Sequence, residues 1–253
     1  MVNTKISCII PTCDRIDLLK VTLESVLKQT ILPEEILIIN NGLKTINFGN
    51  LNNPDHEKNH IKIFNLPKYA GLAQALNFGS SIAKGKYLAF LEDDDLWETD
   101  YIKKLSDSIT SDYDAYVARI DRLKDGEITP YKNAKGKINV DNFFTHNPGV
   151  NISNLCISKE ALFRISGFDA RIKVGVDKCV VIDLLLDNCK FKVLEHIQEI
   201  GRSHEGVRLS GSNKNMIESQ LAFYQKYKKR MNFFQKIKLI RSILFYVLFK
   251  IKK

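Results

Sequence analysis

Paired thiols are the first thing this chain lacks. Its five cysteines (Cys8, Cys13, Cys156, Cys179, Cys189) are odd in number, and none stands in a CxxC pair or a Cys/His cluster. That usage argues against a zinc centre or a disulfide framework and points to a reducing, cytoplasmic compartment. Long apolar runs are missing as well. The longest, Ile243-Leu244-Phe245-Tyr246-Val247-Leu248-Phe249, falls far short of the roughly 20 residues that span a bilayer. No charged and then apolar leader precedes the strand-like residues 5–10, so secretion is not expected. The glycine-rich phosphate loop that a sugar-phosphate nucleotidylyltransferase carries after its first strand is absent, and there is no internal repeat. Acidic residues also run out toward the C-terminus. From residue 216 to 253, ten basic residues face Glu218 alone, a net +9 equal to that of the whole chain. The remaining body is formally neutral.

At 253 residues, 44% hydrophobic and 26% charged, the chain can bury a core as one large domain or two packed halves. Its N-terminal half alternates β-rich runs with helical patterns, which predicts an α/β fold with a largely parallel sheet flanked by helices. Strands are expected at residues 5–10, 35–39, 61–66 and 87–91. A helix follows from Asp14, read as its N-cap, with Leu18, Leu19, Thr22, Val26 and Leu27 at helical spacing. Asn40-Asn41-Gly42 ends the second strand as a turn, and a further helix is expected over 71–83. The alternation loosens after 113–118, and residues 124–139, rich in Gly, Pro, Lys and Asn, mark a change of subdomain. Beyond it come a strand at 151–157, helices at 159–165 and 177–186, and a flexible segment over 201–215. Three parts are expected: a first half over 1–125, a second half over 126–215, and a basic helical tail over 216–253.

The fourth strand runs straight into Glu92-Asp93-Asp94-Asp95. Ligands of open α/β sheets collect at the carboxyl ends of strands, so this tip lies where a site belongs. Four adjacent carboxylates repel one another unless they are exposed or a cation neutralises them. Oxygen ligands without thiolate or imidazole suit Mg²⁺ or Mn²⁺. The plainer alternative is a solvated acidic turn opening the helix near Trp97.

Several segments, taken in order, resemble glycosyltransferase family 2 enzymes of the GT-A nucleotide-binding fold. They are Ser7-Cys8-Ile9-Ile10-Pro11-Thr12, Leu23 with the seven residues after it, residues 35–42, residues 71–77, the acidic run through Trp97, and Ser166-Gly167-Phe168-Asp169. The resemblance implies Asp94 as the metal ligand, Glu92 in the place of the commoner first aspartate, Asp93 near the donor ribose and Asp95 supporting the loop. It places the nucleotide near Pro11, Thr12, Arg15, Asn40 and Asn41, with UDP the expected carrier, and assigns Gly71 and Asn77 to the nucleotide-sugar site. Arg202, His204, Arg208 and Ser210 resemble a mobile loop that closes over the diphosphate, with His204 either a further metal ligand or merely solvated. Asp177, in Val176-Asp177 where the family carries an acidic pair, is the candidate base, or else only a helix cap. Asp183 is read as structural or solvated. The activity implied is an inverting, Mn²⁺- or Mg²⁺-dependent hexosyl transfer from a nucleotide sugar to a saccharide on a polyprenyl diphosphate, as in bacterial O-antigen or capsule assembly. Residues 145–150 are placed at the acceptor. A catalytically silent carbohydrate-binding subunit stays open, because Glu92, Asn40, Asn41 and Val176 depart from the family's pattern. His56, His60, His146 and His196 have no matching context.

In the tail, Phe233, Ile237, Ile240, Leu244, Val247 and Ile251 recur at three- and four-residue steps among Lys236, Lys238 and Arg241. That is an amphipathic basic helix, suited to an anionic membrane surface on the inner face of the cell or to packing on the body. No recognition motif accompanies the charge, so nucleic acid is not an expected partner.

Overall fold

The computed structural model describes residues 5–47, 49, 60–131, 133–135, 138–202 and 211–249. Four strands build its first half: β1 (Ile6–Thr12), β2 (Glu35–Asn40), β3 (Ile61–Asn65) and β4 (Tyr87–Phe90), parallel in the order β3-β2-β1-β4. Parallel strands covered on both faces must be apolar throughout, and β1, β2 and β4 are buried along their whole lengths. Alternate residues feed two cores. Ile9, Leu37, Ile39, Leu88 and Phe90 pack with α2 (Leu72–Ile82), while Cys8, Ile10, Ile36, Ile38 and Ala89 pack with α1 (Ile16–Leu27). Gly79 lets α2 lie close on the sheet, since a Cβ there would meet the Ile9 Cγ2 methyl at 2.7 Å.

The second half continues the same sheet. β8 (Leu155–Ser158) pairs antiparallel with β4 and with β6 (Ala115–Lys124). β6 lies parallel to β9 (Phe191–Arg202), and β5 (Asp95–Trp97) closes the edge antiparallel to β9. β7 (Glu127–Pro130) folds back on β6 as a hairpin. The sheet is thus mixed, with most paired residues in parallel register. Between β6 and β9 the register jumps from Ala118↔Leu194 to Arg119↔Gln198. The bulge formed by Glu195, His196 and Ile197 turns the end of β9 toward β5 and the acidic loop. Gly201 and Arg202, expected in a flexible segment, are instead the last residues of this strand.

Helices α3 (Tyr101–Ser108), α4 (Val140–Thr145), α5 (Lys159–Arg164) and α6 (Val176–Leu186) cover the sheet. α7 (Asn213–Tyr227) is anchored to α6, because Lys226 Nζ donates to Asp183 Oδ2 at 2.7 Å and Tyr227 Oη to Asp183 Oδ1 at 2.8 Å. Asp183 is therefore structural. Lys226 also pairs with Asp169 at 3.1 Å, and Phe223, Tyr227 and Met231 join the core.

α8 (Phe233–Phe249) turns Gln235, Leu239 and Ile243 inward and leaves Phe233, Phe234, Ile237, Ile240, Leu244, Phe245 and Leu248 exposed. Packing on the body and an outward apolar face are therefore not alternatives. Opposite sides of the helix do each. None of the described helices is long and apolar enough to cross a membrane.

Candidate functional site

The acidic run is a tightly held loop between β4 and β5. Its residues alternate, with Asp93 and Asp95 buried and Glu92 and Asp94 half-buried. Thr22 Oγ1 bonds the main-chain oxygens of Asp93 and Asp95 at 2.8 and 2.9 Å. Ser153 Oγ donates to Asp95 Oδ2 at 2.6 Å and accepts from the Glu92 amide at 3.0 Å. Asp95 thus supports the loop.

Asp93 is buried and is not among the residues that line the cleft beside this loop. Thr12 Oγ1 donates to its Oδ2 at 2.6 Å and Arg15 clasps both its oxygens, leaving the carboxylate with no exposure. Asp93 thereby ties the loop to the end of β1. Arg15 spans to Asp94 as well, Nη1 to Oδ2 at 3.0 Å.

Asp14 does not cap α1 either. It sits at a left-handed φ of 58°, and its carboxylate accepts from the amides of Leu43 and Lys44 at 3.0 and 2.9 Å. It joins the turn after β2 to the turn after β1, while Arg15 precedes the helix.

The two asparagines of that turn differ sharply. Asn40 is consumed locally, its Nδ2 donating to Lys44 O and Asn65 Oδ1 and its Oδ1 accepting from the Gly42 amide. Asn41 Oδ1 is buried and has no hydrogen-bond partner among the described residues. Pro11 lies in buried β1 beside them. Gly71, at φ 92°, precedes α2. Asn77, expected at the donor, spends its amide on the main chain of Phe168: Nδ2 donates to O and Oδ1 accepts from N, both at 2.8 Å. It braces the Gly167-Phe168 turn.

A cleft of about 330 Å³ opens beside the loop, lined by Glu92, Asp94, Asp95, Asn147, Asn151 and Arg202 among others. Asp177, in the first turn of α6, reaches it through Asn147, whose Nδ2 donates to Asp177 Oδ2 at 2.8 Å. Residues 147, 149, 150 and 151 all line the cleft, so the 145–150 region lies beside the candidate base. Burial raises the Asp177 carboxyl above its ordinary value, while nearby main-chain amides and Asn147 pull the other way.

Burial, then the charges of Asp95, Asp94, Asp177 and Asp93, push Glu92 well above the carboxylate range. Asp95 rises to about 6, from burial first and Asp94 second. Glu199, on β9, is pushed up by burial and by Asp95. Six carboxylates therefore crowd a region where Arg15 and Arg202 are the basic groups acting on the loop.

Arg202 faces this loop's main chain. It donates to Asp94 O at 2.9 Å, Asp93 O at 3.2 Å, Leu18 O at 3.0 Å and Thr22 Oγ1 at 2.9 Å. In this position Arg202 braces the loop and also lines the cleft. His204, Arg208 and Ser210 lie outside the described residues, as do His56 and Ile251.

This donor set fits a hard divalent cation. The described residues contain no cage of three or more His, Cys, Asp or Glu ligands; Mg²⁺ held by one or two carboxylates takes the rest of its shell from water and substrate phosphates. The crowded, poorly neutralised carboxylates are what such an ion would relieve.

Asn151, Ser153 and Glu199 carry no signal as site residues in the sequence, and Asn147 enters only as part of the 145–150 stretch. They stand roughly 55 to 107 positions from Glu92 in the chain and carry no motif, and the β8 and β9 pairings bring them in.

An acid-tipped central strand in a mixed α/β sheet, with a second half folding over its carboxyl end, is the GT-A architecture. The S. aureus TarS structure with UDP-GlcNAc superposes with a TM-score of 0.70 over 96% of this chain and 72% of that one, at 16% identity. GalNAc-T7 with UDP, GalNAc and Mn²⁺ gives 0.64 over 81% of this chain and 45% of that one, at 17% identity. The family model for glycosyl transferase family 2 matches residues 7–170. The chain belongs to that family.

Among curated relatives, an uncharacterised glycosyltransferase of Rickettsia felis is 42% identical over 101 residues, 40% of this chain and 16% of that protein. The Escherichia coli UDP-Gal:alpha-D-GlcNAc-diphosphoundecaprenol beta-1,3-galactosyltransferase is 30% identical over 95 residues, 38% of this chain and 34% of that enzyme. The matched segments span well under two thirds of these relatives' own lengths.

Proposed function

We propose that this chain is an inverting, metal-dependent hexosyltransferase that moves a sugar from UDP to a lipid-linked saccharide in bacterial surface-polysaccharide assembly. One observation carries the reading. Asn147 lines the cleft with Glu92 and Asp94 while donating to Asp177, so the acidic loop and the candidate base serve one space.

In the proposed reaction Asp177 takes the proton of the acceptor hydroxyl as that oxygen attacks the anomeric carbon. The bond from this carbon to the donor phosphate oxygen breaks, and its electron pair leaves with the nucleoside diphosphate. Attack and departure on opposite sides invert the configuration. Asp94, with Glu92 directly or through water, would hold Mn²⁺ or Mg²⁺, which when bound supplies electrostatic stabilisation of the departing diphosphate. His204 stays a further candidate ligand.

Asn41 Oδ1, buried and unpartnered, suits the imide N–H of uracil. Thr12 and Arg15 shape that side by fixing Asp93, and Arg208 and Ser210 remain candidates for the diphosphate. The UDP-GlcNAc of TarS and the UDP-Gal of the E. coli relative are consistent with a UDP carrier, and the latter's undecaprenol-linked acceptor is consistent with a polyprenyl diphosphate. The exposed apolar face of α8, with Lys238 and Arg241 nearby and no acid after Glu218, suits an anionic membrane on the cytoplasmic side. The nucleotide-sugar half (1–125), acceptor half (126–215) and membrane-facing tail (216–253) would then divide the work. Release of UDP from UDP-hexoses, assayed with wild type and Asp177→Asn, tests the reading; full turnover by the variant would refute it.

A further inference from the structure

One wall of the cleft is built by neither the acidic loop nor the helix of Asp177. It consists of Ile120 and Arg122 on β6 and of Tyr131, just past β7. The Arg122 guanidinium carbon lies 3.8 Å from the centre of the Tyr131 ring. A guanidinium over an aromatic ring keeps its in-plane N–H groups for other partners. Arg15 and Arg119 are paired with carboxylates, whereas Arg122 forms no salt bridge among the described residues.

The stack is held in place from both sides. Arg122 pairs in register with Thr129 of β7 and with Gly201 of β9. The Tyr131 amide donates to Ile120 O at 3.3 Å, and Asn133 bridges the Ile120 amide at 2.6 Å and Tyr131 O at 3.0 Å. Gly201, itself in the cleft lining, has no side chain to cover the flank of Arg122. Tyr131 stays 40% exposed.

An aromatic surface beside unspent planar donors is the chemistry that binds a pyranose, whose C–H face packs on a ring while its hydroxyls accept in-plane hydrogen bonds. Asn41, the candidate contact for the nucleotide base, lies at the β1–β2 edge and outside this lining. We infer that Arg122 and Tyr131 form the acceptor-saccharide subsite, an inference that rests on the glycosyl-transfer reading above. Tyr131 fixes the plane of the guanidinium and offers its uncovered face to an adjoining sugar, and Arg122 holds ring hydroxyls so that one of them is presented toward Asp177.

The test is saturation-transfer NMR on the full chain with UDP and Mn²⁺ present, using the methyl glycosides of glucose, galactose, mannose and N-acetylglucosamine as probes. UDP affinity is measured in parallel. At least one glycoside should bind wild type, and Arg122→Ala, Arg122→Lys and Tyr131→Ala should each weaken it about fivefold or more. Tyr131→Phe should keep binding, and UDP affinity should hold in all four variants, which also certifies their folding. Failure of every glycoside to bind, undiminished binding by the alanine variants, or a parallel fall in UDP affinity would overturn the assignment. Wild type that fails to bind UDP would defeat the underlying transfer reading, a result distinct from these.

Discussion

Asp177 is half-buried in the first turn of α6, and its charge is favoured by main-chain amides and by Asn147. With Asp177 as the proposed base, its raised pKa means that the base form, and with it turnover, is lost as pH falls through a value above that of an ordinary aspartate. Removing the Asn147 donor withdraws support from the charged form. Asn147→Ala should therefore move the acidic limb of the kcat profile to higher pH, by about one unit; an unmoved limb would show that another group titrates. The asparagines of the β2 turn should separate by their bonding. Asn41→Leu should weaken UDP binding by about tenfold with little change in Tm. Asn40→Ala should lower stability by about 1–2 kcal/mol, because several local bonds go with it. Calorimetric titration with UDP and thermal melts read the two effects separately.

Single elements show what could be read in advance. The parallel strands β1, β2 and β4 were legible as short, largely apolar runs bounded by turn residues, β3 by Ile61 and Ile63 flanking Lys62, and the acidic tip of β4 by position. β9 was not. Its three-residue bulge breaks the alternation, and its end was read as flexible because Gly201 punctuates it. The inward turn of Asp93 and the spending of Asn77 on Phe168 were equally hidden, since each depends on a partner far away in the chain. Arg202 shows the consequence at the scale of an element, because one side chain holds four oxygens of the loop and α1. Arg202→Ala should cost on the order of 2–4 kcal/mol in chemical denaturation. A loss below that range would mean the loop holds itself.

α8 carries its own prediction. The stripe of Phe233, Ile237, Ile240 and Leu244 was visible as a period, yet periodicity alone cannot say which side of a helix meets the body. Gln235, Leu239 and Ile243 take that role. Changing Phe233, Phe234 and Leu244 together to Ser should abolish sedimentation with phosphatidylglycerol vesicles while leaving Tm nearly unchanged. Leu239→Ala should instead destabilise by about 2 kcal/mol or more. Vesicle binding that survives the triple change would remove the membrane role from this face.

At the scale of the whole molecule, one sheet carries the proposed nucleotide side at β1–β2, the acidic loop at β4–β5 and the proposed acceptor wall at β6–β7, with Asp177 brought over from α6. On the proposed reading, crowded carboxylates around an incompletely neutralised loop would make a cation and a diphosphate mutually dependent ligands. The direct measurement is the thermal shift given by UDP with and without Mn²⁺, for wild type and Asp94→Asn. The account predicts a UDP-induced rise in Tm of wild type that requires Mn²⁺ and is lost in Asp94→Asn. Equal stabilisation by UDP without the metal, or an unchanged metal-dependent shift in the variant, would contradict it.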